Sequence, residues 1–470
     1  MAQDMRTYLA DLEAAGELVR VTREVDPDLN MGGLAFQAAS RLNKAVLFEN
    51  ISGHPGWKAA SYICGSRSKL AVSLGTTSGK FLQELRSRLQ KGLTPIRMVD
   101  DGPVKEIIMK GSDVDMTRIP FHKMADADAG RYSGSGMHLV KDPETGVRNI
   151  SLHRNQLQGP NQLGILIAPT RHLHMVYQKY EAMNKPMPVA VVYGHHAAYY
   201  LAANYTASYD VDELEVAGSI LGEPVEMVKC ETIDLEVPAH AEIVVEAEIP
   251  PHKRIVEGPF TEHTGYSRAG AGLNPYLEVK CITMRRNAVY YALQGGRPIA
   301  ESQVLDGAPM EMVLFERLKD VGGFVNLKDV VVPPYVGGAH LVIIQLAPRV
   351  EGEVNDVLMA ALSSQYIHPR IVIAVDEDVD PHDPQQVFWS LSTRCNPATH
   401  TFVVPETKGL TLDASARLVS PPGVFPQIRL GSKMGINACK PPVRLAEERE
   451  EHRISVPQGM GEYRIEDFVT

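Results

Sequence analysis

Glu257-Gly258-Pro259-Phe260-Thr261-Glu262-His263-Thr264-Gly265-Tyr266 is the stretch of this chain from which the other expectations follow. Its two glutamates stand five residues apart, and on a regular strand they would point to opposite faces. Gly258 and Pro259 disfavour an uninterrupted strand and favour a turn. A turn can direct both carboxylates into one cavity, where one could serve as a proton donor beside an ionised partner. Two solvated acids on a surface loop remain the alternative at this point.

The composition is that of an ordinary globular protein with a modest acidic excess. A chain of 470 residues is too long for one core, so two or three domains are expected. Lys and Arg number 47 against 57 Asp and Glu, a formal charge of −10, whereas nucleic-acid-binding proteins usually carry a basic stripe. The five cysteines are far apart and form no Cys-x-x-Cys pair, so neither a disulfide framework nor a zinc ribbon is indicated.

The start of the chain and its hydropathy predict no membrane segment. Residues 1–21 carry charges throughout and lack the apolar core of a signal peptide. No apolar run approaches the length that spans a bilayer. We therefore expect a cytoplasmic protein.

The periodicity of apolar residues divides the chain into three regions. Residues 1–115 and 318–470 alternate helix and strand patterns, which predicts an α/β domain at each end. Residues 116–300 are rich in strand patterns with inserted helices, one of them over Val211–Leu221, which favours a barrel or split barrel. A helix over 301–317 links this region to the last, and Asp383-Pro384 predicts a further helix start.

Asn149, His172 and Glu231 are candidate metal ligands from three separate elements. They offer an amide oxygen, an imidazole nitrogen and a carboxylate oxygen. This mixed set suits Mn²⁺ or Mg²⁺ better than zinc, whose sites favour Cys and His. Each residue is by itself more often a helix cap, a buried hydrogen-bonding group or a surface group, and the residues alone leave that alternative open.

Five motifs in a fixed order resemble those of the UbiD family of reversible decarboxylases. The similarity runs over nearly the whole chain, and the order of the motifs is more specific than any one of them. The motifs are Asn149-x-x-x-x-Arg154, Arg171-His172, Lys229-Cys230-Glu231 before Asp234-Leu-x-Val-Pro238, Glu257-Gly-Pro-Phe-x-Glu262, and Gly431-Ser-Lys433-Met-Gly435.

The resemblance implies a fold, cofactors and partners. The fold is multidomain α/β, with an N-terminal α/β domain, a central flavin-reductase-like split β-barrel that binds prenylated FMN, and a C-terminal α/β domain for assembly into homodimers or homohexamers. The implied cofactors are prenylated FMN, Mn²⁺ (or Mg²⁺) and K⁺. The implied partners are a flavin prenyltransferase, which supplies the cofactor, a small aromatic or heteroaromatic carboxylic acid, and CO₂. Neither nucleic acid nor membrane is among them.

The resemblance also assigns residues. Asn149, His172 and Glu231 match the metal ligands, and Lys433 matches a lysine near the cofactor phosphate. Glu262, Arg154 and Glu257 match the family's catalytic network, with Glu262 as the acid. The full cofactor-binding set is Asn149, Ser151, Leu152, His153, Arg154, Leu166, Ile167, Ala168, Arg171, His172, Glu231 and Lys433.

The implied reaction is non-oxidative, reversible decarboxylation of an aromatic, heteroaromatic or α,β-unsaturated carboxylic acid. It proceeds through a covalent substrate–cofactor adduct, loss of CO₂ and protonation by Glu262. His263 is a candidate for sharing or relaying that proton, and His153 is expected to be a packed, hydrogen-bonded residue. Two alternatives are a non-catalytic flavin-binding subunit and a metal-dependent hydrolase that uses Asn149, His172 and Glu231 without flavin.

Overall fold

The computed structural model describes residues 4–169, 171–268, 271–297, 299–366, 368–410, 413–420 and 429–469. Its N-terminal region is a layer of helices on a small sheet. The elements, in chain order, are α1 (Met5–Ala14), β1 (Leu18–Val21), α2 (Met31–Leu42), β2 (Ala45–Phe48), β3 (Lys58–Ser61), α3 (Arg67–Ser73) and α4 (Phe81–Leu89). β1 and β2 are parallel, and β2 and β3 are antiparallel.

Helix α1 is fixed at its start by Asp4. The Asp4 carboxylate accepts a hydrogen bond from the backbone N–H of Thr7 at 2.8 Å, which caps the helix, and a second from Arg285 Nη1 at 2.8 Å. Met5, Tyr8, Leu9 and Leu12 form the buried face. Because Arg285 belongs to the central region, Asp4 joins the first helix to the domain behind it.

We expect Asp4→Ala to lower the free energy of unfolding by about 1–2 kcal/mol at neutral pH, because it removes a helix cap and an ion pair. Burial alone would raise the pKa of Asp4, but the bonds from Arg285 and Thr7 outweigh it and lower the pKa to about 2. The contribution is thus complete above the ordinary pKa of an aspartate and is lost as the pH falls toward about 2. Urea denaturation of both proteins at pH 7 and below pH 4 measures this, with exposed Asp11→Ala as the control. An equal loss for both variants would contradict it.

The central region is built on one strongly curled, antiparallel sheet. Its strands run in the order β6-β9-β10-β19-β14-β11-β7-β8, and β5 pairs with β19. The elements are β4 (Arg97–Met98), β5 (Ile107–Lys110), β6 (Tyr132–Ser133), β7 (Met137–Lys141), β8 (Arg148–Leu152), β9 (Asn155–Gly159), β10 (Gln162–Ile165), α5 (His172–Ala182), β11 (Met187–Tyr193), α6 (Ala197–Ala203), α7 (Glu213–Leu221), β12 (Glu226–Lys229), β13 (Glu236–Pro238), β14 (Ile243–Ile249), β15 (Ile255–Glu257), β16 (Phe260–Thr261), β17 (Ser267–Arg268), β18 (Gly272–Asn274), β19 (Tyr276–Met284) and β20 (Val289–Tyr291).

The C-terminal region is a second α/β layer. Helix α8 leads into it, and β22, β23 and β26 are parallel neighbours flanked by the antiparallel strands β21 and β24. The elements are α8 (Glu301–Leu318), β21 (Leu327–Val331), β22 (Leu341–Leu346), α9 (Glu353–Leu362), β23 (Ile371–Asp376), α10 (Pro384–Arg394), β24 (Thr401–Gly409), β25 (Arg417–Leu418), β26 (Arg429–Ala438) and α11 (Ala446–Glu451).

The predicted α/β, β-rich, α/β order is confirmed, and one strand crosses between regions. β20, from the central region, pairs with β3 and completes the N-terminal sheet. This pairing ties the first two regions into one framework. Across the part of the chain that the structure describes, none of the helices has the length and apolar character needed to cross a bilayer.

Candidate active site

A cavity of about 270 Å³ lies between the curled sheet and the C-terminal region. Strand β8 and the segment after it form one side, and the start of helix α8 and the segment after α9 form the other. The lining residues are Met124, Gly134, Asn149, Ile150, Ser151, Leu152, His153, Arg154, Leu166, Ala168, Arg171, His172, Ala203, Asn204, Tyr205, Thr206, Glu213, Phe260, Glu262, His263, Leu293, Gly295, Ser302, Leu305, Asp306, Gln365, Tyr366, His368 and Leu410.

Arg154 joins the two glutamates of the quoted stretch. Its Nε and Nη2 donate to Glu257 Oε1 and Oε2 at 2.9 and 2.8 Å, and Nη1 donates to Glu262 Oε1. Glu257 ends β15 and Glu262 follows β16, with a turn between them in which Gly258 has a φ of 98°. The left-handed backbone region favours glycine there. The turn thus brings both carboxylates to one guanidinium.

The two glutamates differ in their surroundings. The Glu257 side chain is fully buried and also accepts a bond from Asn274 Nδ2 at 3.1 Å, whereas Glu262 lines the cavity. Burial of Arg154 opposes its charge, but the carboxylates of Glu262 and Glu257 raise the pKa of Arg154 above its already high value. Arg154 is therefore permanently charged. It donates two hydrogen bonds to Glu257 and contacts a single oxygen of Glu262. Glu262 is the carboxyl placed for contact with a bound molecule.

Gly164 on β10 packs against the Glu257 side chain and leaves room for it because it has no Cβ. A Cβ at this position would lie 3.0 Å from Glu257 Cγ, so Gly164→Ala must displace the Glu257 side chain. We expect kcat to fall by about 10- to 100-fold, because sub-ångström errors in catalytic geometry are costly. Gly159→Ala is the matched control, since a Cβ there meets no atom within 4 Å. Steady-state kinetics of both variants checks this, and equal kcat values would contradict it.

Asn149, His172 and Glu213 form a compact set of oxygen and nitrogen donors. Asn149 Nδ2 and the backbone N–H of Ile150 each donate to a Glu213 oxygen at 3.0 Å, and His172 Nδ1 lies 4.0 Å from Glu213 Oε1. Burial raises the pKa of Glu213 to about 8, and within the described residues no Lys or Arg is paired with this carboxyl to offset that effect. Burial, with a contribution from Arg171, lowers the pKa of His172, which leaves the imidazole neutral as a metal ligand requires.

The structure does not bring Glu231 into this set, and the acid that lies beside Asn149 and His172 is Glu213 instead. Glu231 follows β12 on another face, where its carboxylate accepts from Lys105 Nζ at 2.8 Å and Lys110 Nζ at 2.7 Å. It borders a separate surface cavity. Glu213 is the first residue of α7, an acidic position that sequence reasoning assigns to the helix dipole rather than to a site.

Most of the predicted cofactor-binding residues line the cavity, and three do not: Glu231, described above, Ile167 and Lys433. Ile167 is 4% exposed and packs in the hydrophobic core, because alternate residues of the extended segment Leu166–Ala168 face opposite sides. Lys433 lies on β26, donates to the carbonyl of Leu362 and borders another cavity. The structure therefore places Ile167 and Lys433 outside the lining of this cavity.

His153 is a packed, hydrogen-bonded residue, as expected. Its Nε2 lies 3.0 Å from Ser151 Oγ and its Nδ1 lies 3.3 Å from the carbonyl of Leu166. Burial lowers the pKa of His153 well below its usual value, so the ring is uncharged. His263, next to the candidate acid, turns toward the C-terminal region, where a Cβ on Gly338 would meet its ring at 2.3 Å. A close approach of this loop requires glycine.

The wall from α8 and the C-terminal region carried no motif in the sequence. It contributes Ser302, Asp306, Gln365, Tyr366 and His368. Gln365 Nε2 donates to the carbonyl of Thr206 at 2.9 Å, which joins the two sides of the cavity at its rim. These residues come together through contacts between segments that are far apart in the sequence. The spacing of residues along the chain gives no information about such contacts.

The residues present fit a phosphate-bearing cofactor with a hard divalent cation. An amide, an imidazole and a carboxylate are suited to Mn²⁺ or Mg²⁺, and Arg171 beside them supplies a cation for an anion. The described residues contain no group of three or more His, Cys, Asp or Glu side chains arranged to hold a metal. Asn149, His172 and Glu213 would leave positions open on a six-coordinate cation, and a phosphate group of a bound molecule would supply oxygen ligands for them.

Comparisons with known proteins match this chain along most of its length. Family models of the 3-octaprenyl-4-hydroxybenzoate carboxy-lyase match in three parts: the N-terminal domain over residues 9–89, the Rift-related domain over 97–298 and the C-terminal domain over 303–438. The three models, in the same order as the three structural regions, describe carboxy-lyases.

Solved structures of similar proteins superpose on the whole chain. HmfF from Pelotomaculum thermopropionicum, a UbiD-class enzyme in complex with FMN, is 35% identical with a TM-score of 0.87, covering 99% of this chain and 100% of that one. An evolved dimeric form of HmfF in complex with prFMN is 32% identical with a TM-score of 0.85, covering 100% of both chains. Vanillic acid decarboxylase from Sedimentibacter hydroxybenzoicus, in closed form, is 30% identical with a TM-score of 0.84, covering 98% and 97%.

Proposed function

The chain belongs to the UbiD family of carboxy-lyases, and from this premise we propose that it is a reversible, non-oxidative decarboxylase of an aromatic, heteroaromatic or α,β-unsaturated carboxylic acid that depends on prenylated FMN. One observation carries the proposal: Arg154 is shared by the buried Glu257 and the cavity-facing Glu262. The proposed reaction requires such a network, whereas flavin binding alone and metal-dependent hydrolysis do not require it.

Prenylated FMN, when bound, supplies the electron sink for the electron pair that CO₂ leaves behind. The prFMN complex of a relative that covers the whole chain supports this cofactor. We propose that Asn149, His172 and Glu213 bind Mn²⁺ or Mg²⁺ and that Arg171 binds the cofactor phosphate. K⁺ is proposed as the accompanying monovalent cation. Ser151, Leu152, His153, Leu166 and Ala168 complete the cofactor side of the cavity.

Glu262 is proposed to move the proton. In decarboxylation it donates a proton to the carbon that loses CO₂, and in carboxylation it removes a proton from the same carbon. Arg154 holds the Glu262 carboxylate in place and is itself oriented by its two bonds to Glu257. The apolar side chains of Phe260 and Leu293 on the cavity wall exclude water from the reacting carbon.

Assembly and cofactor supply are part of the proposal. The dimeric form of a relative supports a homo-oligomer, either a dimer or a hexamer. A flavin prenyltransferase is proposed as the source of the cofactor.

Native mass spectrometry with an absorption spectrum tests the proposal on protein co-expressed with a flavin prenyltransferase. We expect a bound mass of prenylated FMN, one divalent metal per chain and CO₂ release from aromatic acids. Metal without any flavin, even after anaerobic reconstitution, would overturn the decarboxylase assignment and favour a metal-dependent hydrolase.

A further inference from the structure

The cavity wall opposite the cofactor side has a chemical character of its own. Ser302 and Asp306 are one helical turn apart on α8, so both side chains project from the same face into the cavity. His368 approaches from the segment after α9. None of these residues belongs to the proposed catalytic or metal-binding groups.

Several polar atoms on this wall have no partner within the described residues. Ser302 Oγ and His368 Nδ1 are buried without a hydrogen bond, and the half-buried Asp306 carboxylate has no ion pair. Buried polar groups are nearly always hydrogen-bonded in folded proteins. The arrangement therefore fits a bound molecule that brings its own hydrogen-bonding group to this wall.

The charges on the wall restrict what that group can be. Among the described lining residues the cations are Arg154 and Arg171, both from the central region, and Arg154 is already held by two glutamates. Burial, reinforced by Arg171, lowers the pKa of His368 well below its usual value, so its ring is neutral. A second carboxylate at this wall would meet the negative charge of Asp306 without a cation to offset it, whereas an O–H or N–H group would donate to it.

We propose that Asp306, with Ser302 and His368, selects acids that carry a single carboxylate and, away from it, an uncharged hydrogen-bond donor. The donor is a phenolic hydroxyl or a ring N–H, and both present the same chemistry to Asp306. Asp306 is thus a specificity-determining residue. The inference rests on the proposed function, because it takes the reacting carboxylate to lie on the Glu262 side.

The test compares matched acids on the flavin-loaded protein, by CO₂ release and by saturation-transfer NMR. One pair is 4-hydroxybenzoate and 4-methoxybenzoate, a second is pyrrole-2-carboxylate and furan-2-carboxylate, and terephthalate is the dicarboxylate. We expect the donor-bearing member of at least one pair to bind about tenfold tighter or more, since hydrogen bonds to charged groups are strong, and terephthalate to bind weakest. The pair that shows the preference identifies the hydroxyl or the N–H as the source.

Variants locate the effect. Asp306→Asn should reduce the preference within the responding pair to about threefold or less and improve terephthalate binding, because the charge is removed while the shape is kept. Ser302→Ala should reduce the preference in part. Asp356→Asn, an exposed aspartate on α9, should leave it unchanged.

Three results would overturn the inference: terephthalate bound as tightly as 4-hydroxybenzoate, a preference unchanged in Asp306→Asn, or no binding of any of the acids. Binding with the expected preference but without CO₂ release would instead support the inference and count against the proposed reaction. CO₂ release without a preference would contradict this inference but leave the proposed reaction supported.

Discussion

Glu262→Gln is expected to lower the rate of decarboxylation by at least about 100-fold and by up to about 10,000-fold, the usual range for loss of a positioned general acid. The substitution keeps the size of the side chain and its contact with Arg154 Nη1, but an amide cannot deliver a proton. Exchange of the product's proton with deuterated water should fall in parallel, because the same carboxyl acts in both directions. Cofactor and metal content should stay the same, since Glu262 belongs to neither binding set.

Turnover, deuterium exchange and native mass are to be measured on one preparation. Glu278→Gln is the control, since Glu278 is on β19 with a side chain that is 39% exposed. Retained turnover in Glu262→Gln with bound cofactor would show that another group, such as the adjacent His263, supplies the proton. Loss of the cofactor would show that the residue supports binding rather than proton transfer.

The elements that the sequence predicted well are those fixed by local chemistry. Gly258 and Pro259 forced a turn between two acids, and the structure places both acids on Arg154. Asp383 and Pro384 predicted a helix start, and α10 begins at Pro384 with the Asp383 carboxylate accepting from the N–H of Gln385 at 2.9 Å. Each prediction depends on residues that are close together in the chain, so the physics that decides them is visible in the sequence.

The structure differs from the expectations at residues whose positions depend on distant segments. Glu231 and Glu213 are both acids near the ends of elements, and only the packing of α7 on β8 decides that Glu213 meets Asn149. Lys433 sits on a strand whose pairing with β23 and β24 sets where its side chain points. The wall formed by Ser302, Asp306 and His368 combines a linker helix with the C-terminal layer, and no local pattern marks it.

Glu213→Gln is expected to lower the affinity for Mn²⁺ by at least about 100-fold. Even substitution of residues that only hydrogen-bond to metal ligands lowers metal affinity by about 10- to 100-fold. The variant removes the one carboxylate of the proposed set. Its amide also brings N–H groups toward Asn149 Nδ2 and the N–H of Ile150, which are donors themselves. Since the metal is proposed to neutralise the cofactor phosphate, cofactor retention should fall with it.

Glu231→Gln is the matched test, because it makes the same chemical change at the acid that the motif pointed to. The Glu231 carboxylate is paired with Lys105 and Lys110. The hydrogen bond from Lys105 is the largest cause that lowers the pKa of Glu231, so Glu231 is an ordinary ion-paired carboxylate. We expect this variant to keep metal, cofactor and activity. Metal content by elemental analysis and Mn²⁺ titration by electron paramagnetic resonance separate the two. Loss of metal in Glu231→Gln together with retention in Glu213→Gln would contradict this proposal. It would show that Glu231, the acid predicted from the sequence, is the metal ligand.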